Sequence, residues 1–193
     1  NLDTEDDDEL TIGCAGGRDV TANGSYSQDN WSEGAAFQIS VKGLTGGHSG
    51  VDIHLGRANA NKVMNRVLFQ LSKDYGIKIA SIDGGSLRNA IPRESTAVIV
   101  ADATNAAKMQ AMVANMASML KAENTTTDPN LRLTITASAM PGKVMASEFQ
   151  YRFLRAIYAC PNGIYRMSPD IAGLVQTSNN VARVLVKDGT RTV

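Results

Sequence analysis

Between residues 37 and 137 the apolar residues switch between two periods, and the order of the switches limits the folds open to the chain. Phe37, Ile39 and Val41 alternate with Gln38, Ser40 and Lys42, the period-2 pattern of a strand with one buried face. Residues 58–75 carry Val63, Met64, Val67, Leu68 and Leu71 at three- and four-residue spacing, so they predict a helix that stops at Gly76. Ile77, Ile79 and Ile82 predict a strand ending at Gly84-Gly85, and Thr96 to Ala101 a second one. A helix is expected over 105–122, capped by Thr104 or Asn105, with Met109, Met112, Val113, Met116 and Leu120 inside. Asn124 to Asn130 is a polar loop, and Leu131, Leu133 and Ile135 alternate as a last strand. The order β-α-β-β-α-β is that of the split βαβ, or ferredoxin-like, fold. Its sheet is antiparallel and its helices lie on one face.

The flanks read differently. Six acids crowd the first nine residues, a solvated acidic turn in which Asp3, just after Asn1-Leu2, stands out as a placed side chain. Leu10 to Cys14 is a strand candidate, and residues 19–35 a polar connection with Asn23-Gly24 as its turn. After Pro141, Phe149, Phe153 and Ile157 mark a helix. Leu174 to Thr177 and Val181 to Val186 are strand candidates, and Asp188-Gly189 is a hairpin turn. These suggest a second, partial copy of the same unit. The expected class is therefore α+β. Residues 1–36 lead in, 37–139 form the first split βαβ unit, and 140–193 start a second, truncated one.

Lys+Arg and Asp+Glu balance at 19 each, which argues against nucleic-acid or membrane-surface partners. No apolar run reaches the roughly 18 residues of a membrane span. Cys14 and Cys160 lie outside metal-type spacing and read as reduced thiols of a cytoplasmic protein. Sequons at Asn23, Asn30 and Asn124 read as chance matches, since the opening residues form no signal-peptide pattern. Both ends of the chain read as cuts through a longer protein.

Chemistry concentrates in two loops. His48 sits in Gly46-Gly47-His48-Ser49-Gly50, a collar that permits positive φ and close approach of another group. Asn89 sits in Arg88-Asn89-Ala90-Ile91-Pro92-Arg93-Glu94. Taken singly, His48 is a surface turn histidine, Asn89 a loop asparagine satisfying its own turn, and His54 a structural residue. Together they pair a neutral imidazole with a carboxamide, short donors suited to an oxyanion or carboxylate. No phosphate loop, HExxH or CxxC pattern occurs, and no Ser/His/Asp set is distinguishable.

These loops carry a resemblance. Asn1-Leu2-Asp3-Thr4-Glu5, Ile12-Gly13-Cys14-Ala15-Gly16-Gly17, Lys42 to Gly50, Asn59-Ala60-Asn61-Lys62 and Leu87 to Glu94 resemble the cytosolic aminoacyl-histidine dipeptidases. Pro161-Asn162-Gly163 and Val175 to Val181 are similar to the same family. That family consists of di-zinc metallopeptidases related to carboxypeptidase G, aminoacylase and carnosinase, with a zinc-holding catalytic domain and an inserted lid. The resemblance is to the lid. It implies that Asp3 is a zinc ligand, that His48 contacts the substrate carbonyl or developing oxyanion, and that Asn89 helps hold the substrate. It also implies two zinc ions in the full-length enzyme, none of them held by this chain alone. The implied partners are a dipeptide such as β-alanyl-histidine, the enzyme's own catalytic domain and a possible homodimer. Whether His48 acts within its chain or across a dimer stays open. Two other classes compete: the lid of a related zinc deacylase or carboxypeptidase, and a non-enzymatic ferredoxin-like binding module.

Most of the expected machinery, including the HxD motif and the paired glutamates, is missing from these residues. The expected outcome is that the 193-residue chain, given zinc and β-alanyl-histidine, shows no hydrolysis above blank; clear turnover in that assay overturns the lid reading.

Overall fold

The computed structural model describes residues 16–193, so the expected Leu10–Cys14 strand and Asp3 lie outside the described residues. Two short strands come first, β1 (Asn23–Ser25) and β2 (Gln28–Asn30). The first unit follows as β3 (Ala35–Lys42), β4 (Gly47–His48), α1 (Ala60–Tyr75), β5 (Lys78–Gly84), β6 (Ala90–Ile91), β7 (Ser95–Ala101), α2 (Ala106–Glu123) and β8 (Arg132–Ala137). Beyond it run β9 (Lys143–Met145), α3 (Ser147–Ala159), β10 (Gly163–Met167), β11 (Val175–Asn179), β12 (Val184–Lys187) and β13 (Thr190–Thr192).

The main sheet has seven strands in the order β1-β13-β12-β5-β7-β3-β8. Its stretch β5-β7-β3-β8 is the split βαβ arrangement, antiparallel throughout. The fold is the α+β class that the apolar periods imply. Cross-strand rows explain why the alternation matters. Ile39 faces Ala97 and Ile135, Ile82 faces Ala97, and Val186 faces Ile82, so one apolar row crosses five strands. That row lies beneath α1 and α2 in the main core, with Val67, Leu68, Leu71, Met109 and Val113 packed on it.

The spacing of Ile79 and Ile82 breaks strict alternation. A register shift between Ile79 and Ser81 restores it, because the extra residue of a bulge lets both isoleucines face the helices. Ala80 instead turns to the opposite face, where it joins Ala36, Val100, Val144 and the ring of Trp31 in a smaller cluster.

Local chemistry sets the helix ends. Asn59 caps α1 through Oδ1, which accepts from the backbone N–H groups of Asn61 and Lys62, and Gly76 closes it at φ 59. The cap expected of Thr104 or Asn105 is not made by either. Asp102 accepts from the Thr104 N–H and hydroxyl, starting a 3-10 turn (Ala103–Asn105) that feeds α2. Those two bonds hold its carboxyl below the usual carboxylate range.

Two other expectations are corrected. Asn23-Gly24 is no turn but part of β1, because it pairs with β13 at the sheet edge. A Cβ on Gly24 would lie 2.8 Å from the Arg191 guanidinium, the movable end of a long side chain. The Leu174–Thr177 segment does not enter the main sheet either. β11 pairs with β10 in a separate exposed ribbon, with Tyr165 77% exposed at its surface. The Asp188-Gly189 hairpin does form, with φ 51 and 76, and its strand β12 adds directly to β5.

α3 is fixed beside α1 by polar contacts at three levels. Gln150, 5% exposed, accepts from the Ile79 N–H at 2.9 Å and donates to Ile77 O at 2.8 Å, using backbone groups at the bulge. Asn65 donates to Leu154 O at 3.0 Å. Lys62 Nζ donates to the carbonyls of Ile157, Tyr158 and Cys160, closing the C-terminal end of α3, where a cation is favoured. Burial pushes that ammonium below its usual range.

Replacing Gln150 by Leu leaves two buried backbone groups unpaired. Urea unfolding is expected to show a loss of about 2–4 kcal/mol with native helix content retained; an unchanged midpoint refutes this role for Gln150.

Candidate functional site

The His48 loop leaves β3 at Gly43 and reaches α1 at Asn59. Asp128, wholly buried, clamps both ends of it. Its Oδ1 accepts from the Thr45 N–H and its Oδ2 from the Ala58 N–H, each at 2.8 Å. Thr45 Oγ1 also donates to Thr127 O at 2.7 Å. Inside the clamp, Arg57 donates to Gly46 O at 2.6 Å and pairs with Asp52 at 3.4 Å. Asp52 Oδ2 accepts from the His48 N–H at 2.8 Å, and the Asp52 N–H donates to His48 O at 2.9 Å.

The glycine collar serves this packing. Gly46 and Gly47 have φ 66 and 140, and a side chain on Gly47 would meet Arg57 and Asp52. Gly50 serves differently: a Cβ there would lie 3.3 Å from the His48 ring. The space is used, because the N–H groups of Gly50 and Val51 both donate to His48 Nδ1 at 3.1 Å. With Nδ1 an acceptor, a neutral His48 carries its proton on Nε2, and the half-buried ring presents that N–H as a donor. His54 bonds instead to Val51 O at 2.8 Å, inside its own turn.

The two loops singled out in the sequence meet. β4 pairs antiparallel with β6, His48 opposite Ala90 and Gly47 opposite Ile91. The Ser49 N–H donates to Asn89 O at 2.8 Å. Asn89 is exposed, and among the described residues its carboxamide has no hydrogen-bond partner. The neighbouring Arg88 is held by Asp19 at 2.5 Å, both on the surface. This end of the sheet therefore offers an oriented imidazole donor and an uncommitted carboxamide on hydrogen-bonded loops. Such a pair can bind a developing oxyanion or a carboxylate.

Among the described residues no group of three or more His, Cys, Asp or Glu side chains gathers to hold a metal ion. Asp3 lies outside them, so the described residues by themselves do not build a zinc site. Elsewhere a groove of about 780 Å³ lies between α1 and α2, lined by Phe69, Met112, Met116 and Tyr158. It includes neither His48 nor Asn89. Among the described residues no helix is long and apolar enough to cross a membrane.

The sequence reading missed Asp128, Asp52 and Arg57. Asp52 carried a weak signal, lying four residues after His48; Asp128 carried none, because its partners are 83 and 70 residues away.

The fold and this loop pair define a class. Residues 39–128 match the model of the peptidase dimerisation domain family. Over 189 residues the chain is 36% identical to the cytosol non-specific dipeptidase of Escherichia coli strain K12, covering 97% of this chain and 39% of that protein. The crystal structure of aminoacylhistidine dipeptidase from Vibrio alginolyticus superposes with a TM-score of 0.87 at 36% identity, over 90% of this chain and 36% of that one. The resemblance carried by the sequence motifs thus stands. The chain spans about two fifths of the length of these relatives.

The tautomer of His48 is open to test. In nitrogen-15 NMR at a pH where the ring is neutral, Nδ1 is expected to show the unprotonated resonance and Nε2 the protonated one. The opposite assignment overturns the role given to the Gly50 and Val51 amides.

Proposed function

We propose that this chain is the lid of a zinc-dependent dipeptidase that hydrolyses Xaa-His dipeptides such as β-alanyl-histidine. One observation carries the reading. His48 Nδ1 accepts from two backbone N–H groups, which leaves Nε2 to carry the proton of the neutral ring, on a loop paired to the one that bears Asn89. In this proposal His48 Nε2–H donates to the substrate carbonyl and more strongly to the oxyanion that replaces it. Asn89 holds the substrate. Asp3 is one zinc ligand, and the full-length enzyme would hold two zinc ions, which would supply Lewis-acid activation of the carbonyl and of water. The names of the two relatives, a non-specific dipeptidase and an aminoacylhistidine dipeptidase, support a dipeptide substrate, and the word "cytosol" in one of them supports a cytoplasmic setting.

The partners follow from the same reading: the dipeptide, the enzyme's own catalytic domain and a second copy of the protein. The edge of β5 is already occupied by β12 of the same chain. A homodimer therefore uses another surface. The division into a lead-in (1–36), a first unit (37–139) and a truncated second unit (140–193) is part of this proposal.

The test is β-alanyl-histidine hydrolysis by the full-length parent with zinc, beside His48→Ala. Loss of one oriented donor is expected to cost about a hundredfold or more in rate, with the circular dichroism unchanged. An unchanged rate in an active parent removes His48 from the chemistry. An inactive parent turns the reading toward a related deacylase or carboxypeptidase lid, or toward a binding module.

A further inference from the structure

β4 and β6 are two residues each and pair only with one another, so they form no part of the main sheet. A ribbon that short does not hold its own geometry in water. Yet it carries His48 and adjoins Asn89. Something must tie it to the rigid body of the fold.

Beside the Asp128 clamp on the His48 loop, one tie is a cluster of three carboxamides at the start of α1. Asn59, 3% exposed, spends its oxygen on the helix cap and donates through Nδ2 to Asn162 Oδ1 at 2.9 Å, Asn180 Oδ1 at 3.1 Å and Val181 O at 3.2 Å. Asn162 Oδ1 also accepts from the Val181 N–H at 3.0 Å. Asn180 turns its own Nδ2 the other way and donates to Ala90 O at 2.8 Å. Ala90 is the residue opposite His48.

The direction of each amide is set by a backbone partner whose role is not in doubt. The Asn61 and Lys62 N–H groups demand the oxygen of Asn59, the Val181 N–H demands the oxygen of Asn162, and the Ala90 carbonyl demands the nitrogen of Asn180. The two hydrogens of Asn59 Nδ2 are shared among three oxygens, and a single order of bonds runs from the α1 cap through Asn59 and Asn180 to the carbonyl beside Asn89.

The geometry points to Asn180 as a positioning residue for the His48–Asn89 pair, acting through its donated bond to Ala90. This rests on the reading of His48 and Asn89 as substrate contacts. It also gives the second unit a role in the chemistry: the residue that aims the first unit's loops sits just ahead of β12, the strand that joins the two units. Asn162 differs in kind. It only accepts in this cluster, so it shapes the turn and does not reach the ribbon.

That difference supplies the experiment. In the full-length parent, Asn180→Asp keeps the oxygen that Asn59 uses but sets an acceptor against Ala90 O. Asn162→Asp keeps both of its accepted bonds. Hydrogen exchange resolved to residues 46–52 and 86–92 is measured beside kcat/KM for β-alanyl-histidine. Asn180→Asp is expected to speed exchange in those two segments by about tenfold or more while leaving α1 and β5 protected. It is expected to lower kcat/KM by about tenfold or more, since a small misplacement of a substrate contact is costly. Asn162→Asp is expected to change neither. Asn180→Ala, which neither donates nor adds charge, is expected to repeat the Asn180→Asp pattern and covers the case in which the aspartate misfolds. Unchanged exchange at 46–52 and 86–92, or exchange that rises equally in α1 and β5, overturns the tether. Local exchange with undiminished kcat/KM in an active parent overturns the positioning role. Local exchange in a parent that never hydrolyses β-alanyl-histidine upholds the tether and sinks the substrate reading instead.

Discussion

The pairing of β12 with β5 is the contact on which the architecture turns. Val184, Leu185 and Val186 lie opposite Gly84, Asp83 and Ile82, and through them an open edge of the split βαβ sheet becomes an interior strand. An unpaired edge is a template for other chains. Here the same polypeptide covers it, and the apolar row under α1 continues without a break to Val186. α3 must then lie beside α1, and the polar groups of Gln150, Asn65 and Lys62 are used to fix how it lies. Thus α3 and β12 are built into the split βαβ arrangement at helix and sheet levels together.

This junction also explains where the candidate site stands. The turn after α3 and the approach to β12 both arrive at the N-terminal end of α1, because Asn162 and Asn180 bond to the α1 cap residue. The His48 loop enters α1 at the same end, and Ala60 N–H donates to Pro92 O in the Asn89 connection. Four connections thus share one anchor. A donor on a loop is useful in binding only if its position is set beforehand, and here that is achieved by backbone hydrogen bonds and buried amides.

Local features were legible in the sequence and distant ones were not. The alternation of Phe37, Ile39 and Val41, the α1 stripe with its Gly76 stop, and the Asp188-Gly189 hairpin all depend on neighbours within a few residues. Periodicity therefore sufficed for them. The bulge that rescues the spacing of Ile79 and Ile82 left only a broken pattern. β2 and β9 are polar or very short, and they exist because they find each other across the fold. Of the site, the glycines around His48 were a visible sign, while its meeting with the Asn89 segment came from the resemblance and not from spacing. Asp128 sits in a stretch that reads as an ordinary polar loop; its burial follows from two N–H groups far away in sequence.

The same reasoning orders the motifs by what they do. In Asn59-Ala60-Asn61-Lys62 the charged residue faces the α3 carbonyls and the first asparagine faces the second unit, so the motif is a joint between units. Asn180 belongs to that joint on one side and to the loop at Ala90 on the other. By contrast, Gly46 to Gly50 concern a single side chain: two glycines let the strand turn under Arg57 and Asp52, and the third lets the imidazole rest on backbone N–H groups. Asparagine suits the joint because one planar group both donates and accepts, so a turn can be bonded to a helix cap and a strand at once. An aspartate in Asn180's place has no hydrogen for Ala90, and a serine is too short to bridge Asn59 and the Ala90 carbonyl with separate atoms. A carboxamide at this junction meets both demands, and the site's geometry is thereby made a consequence of how the two units are joined.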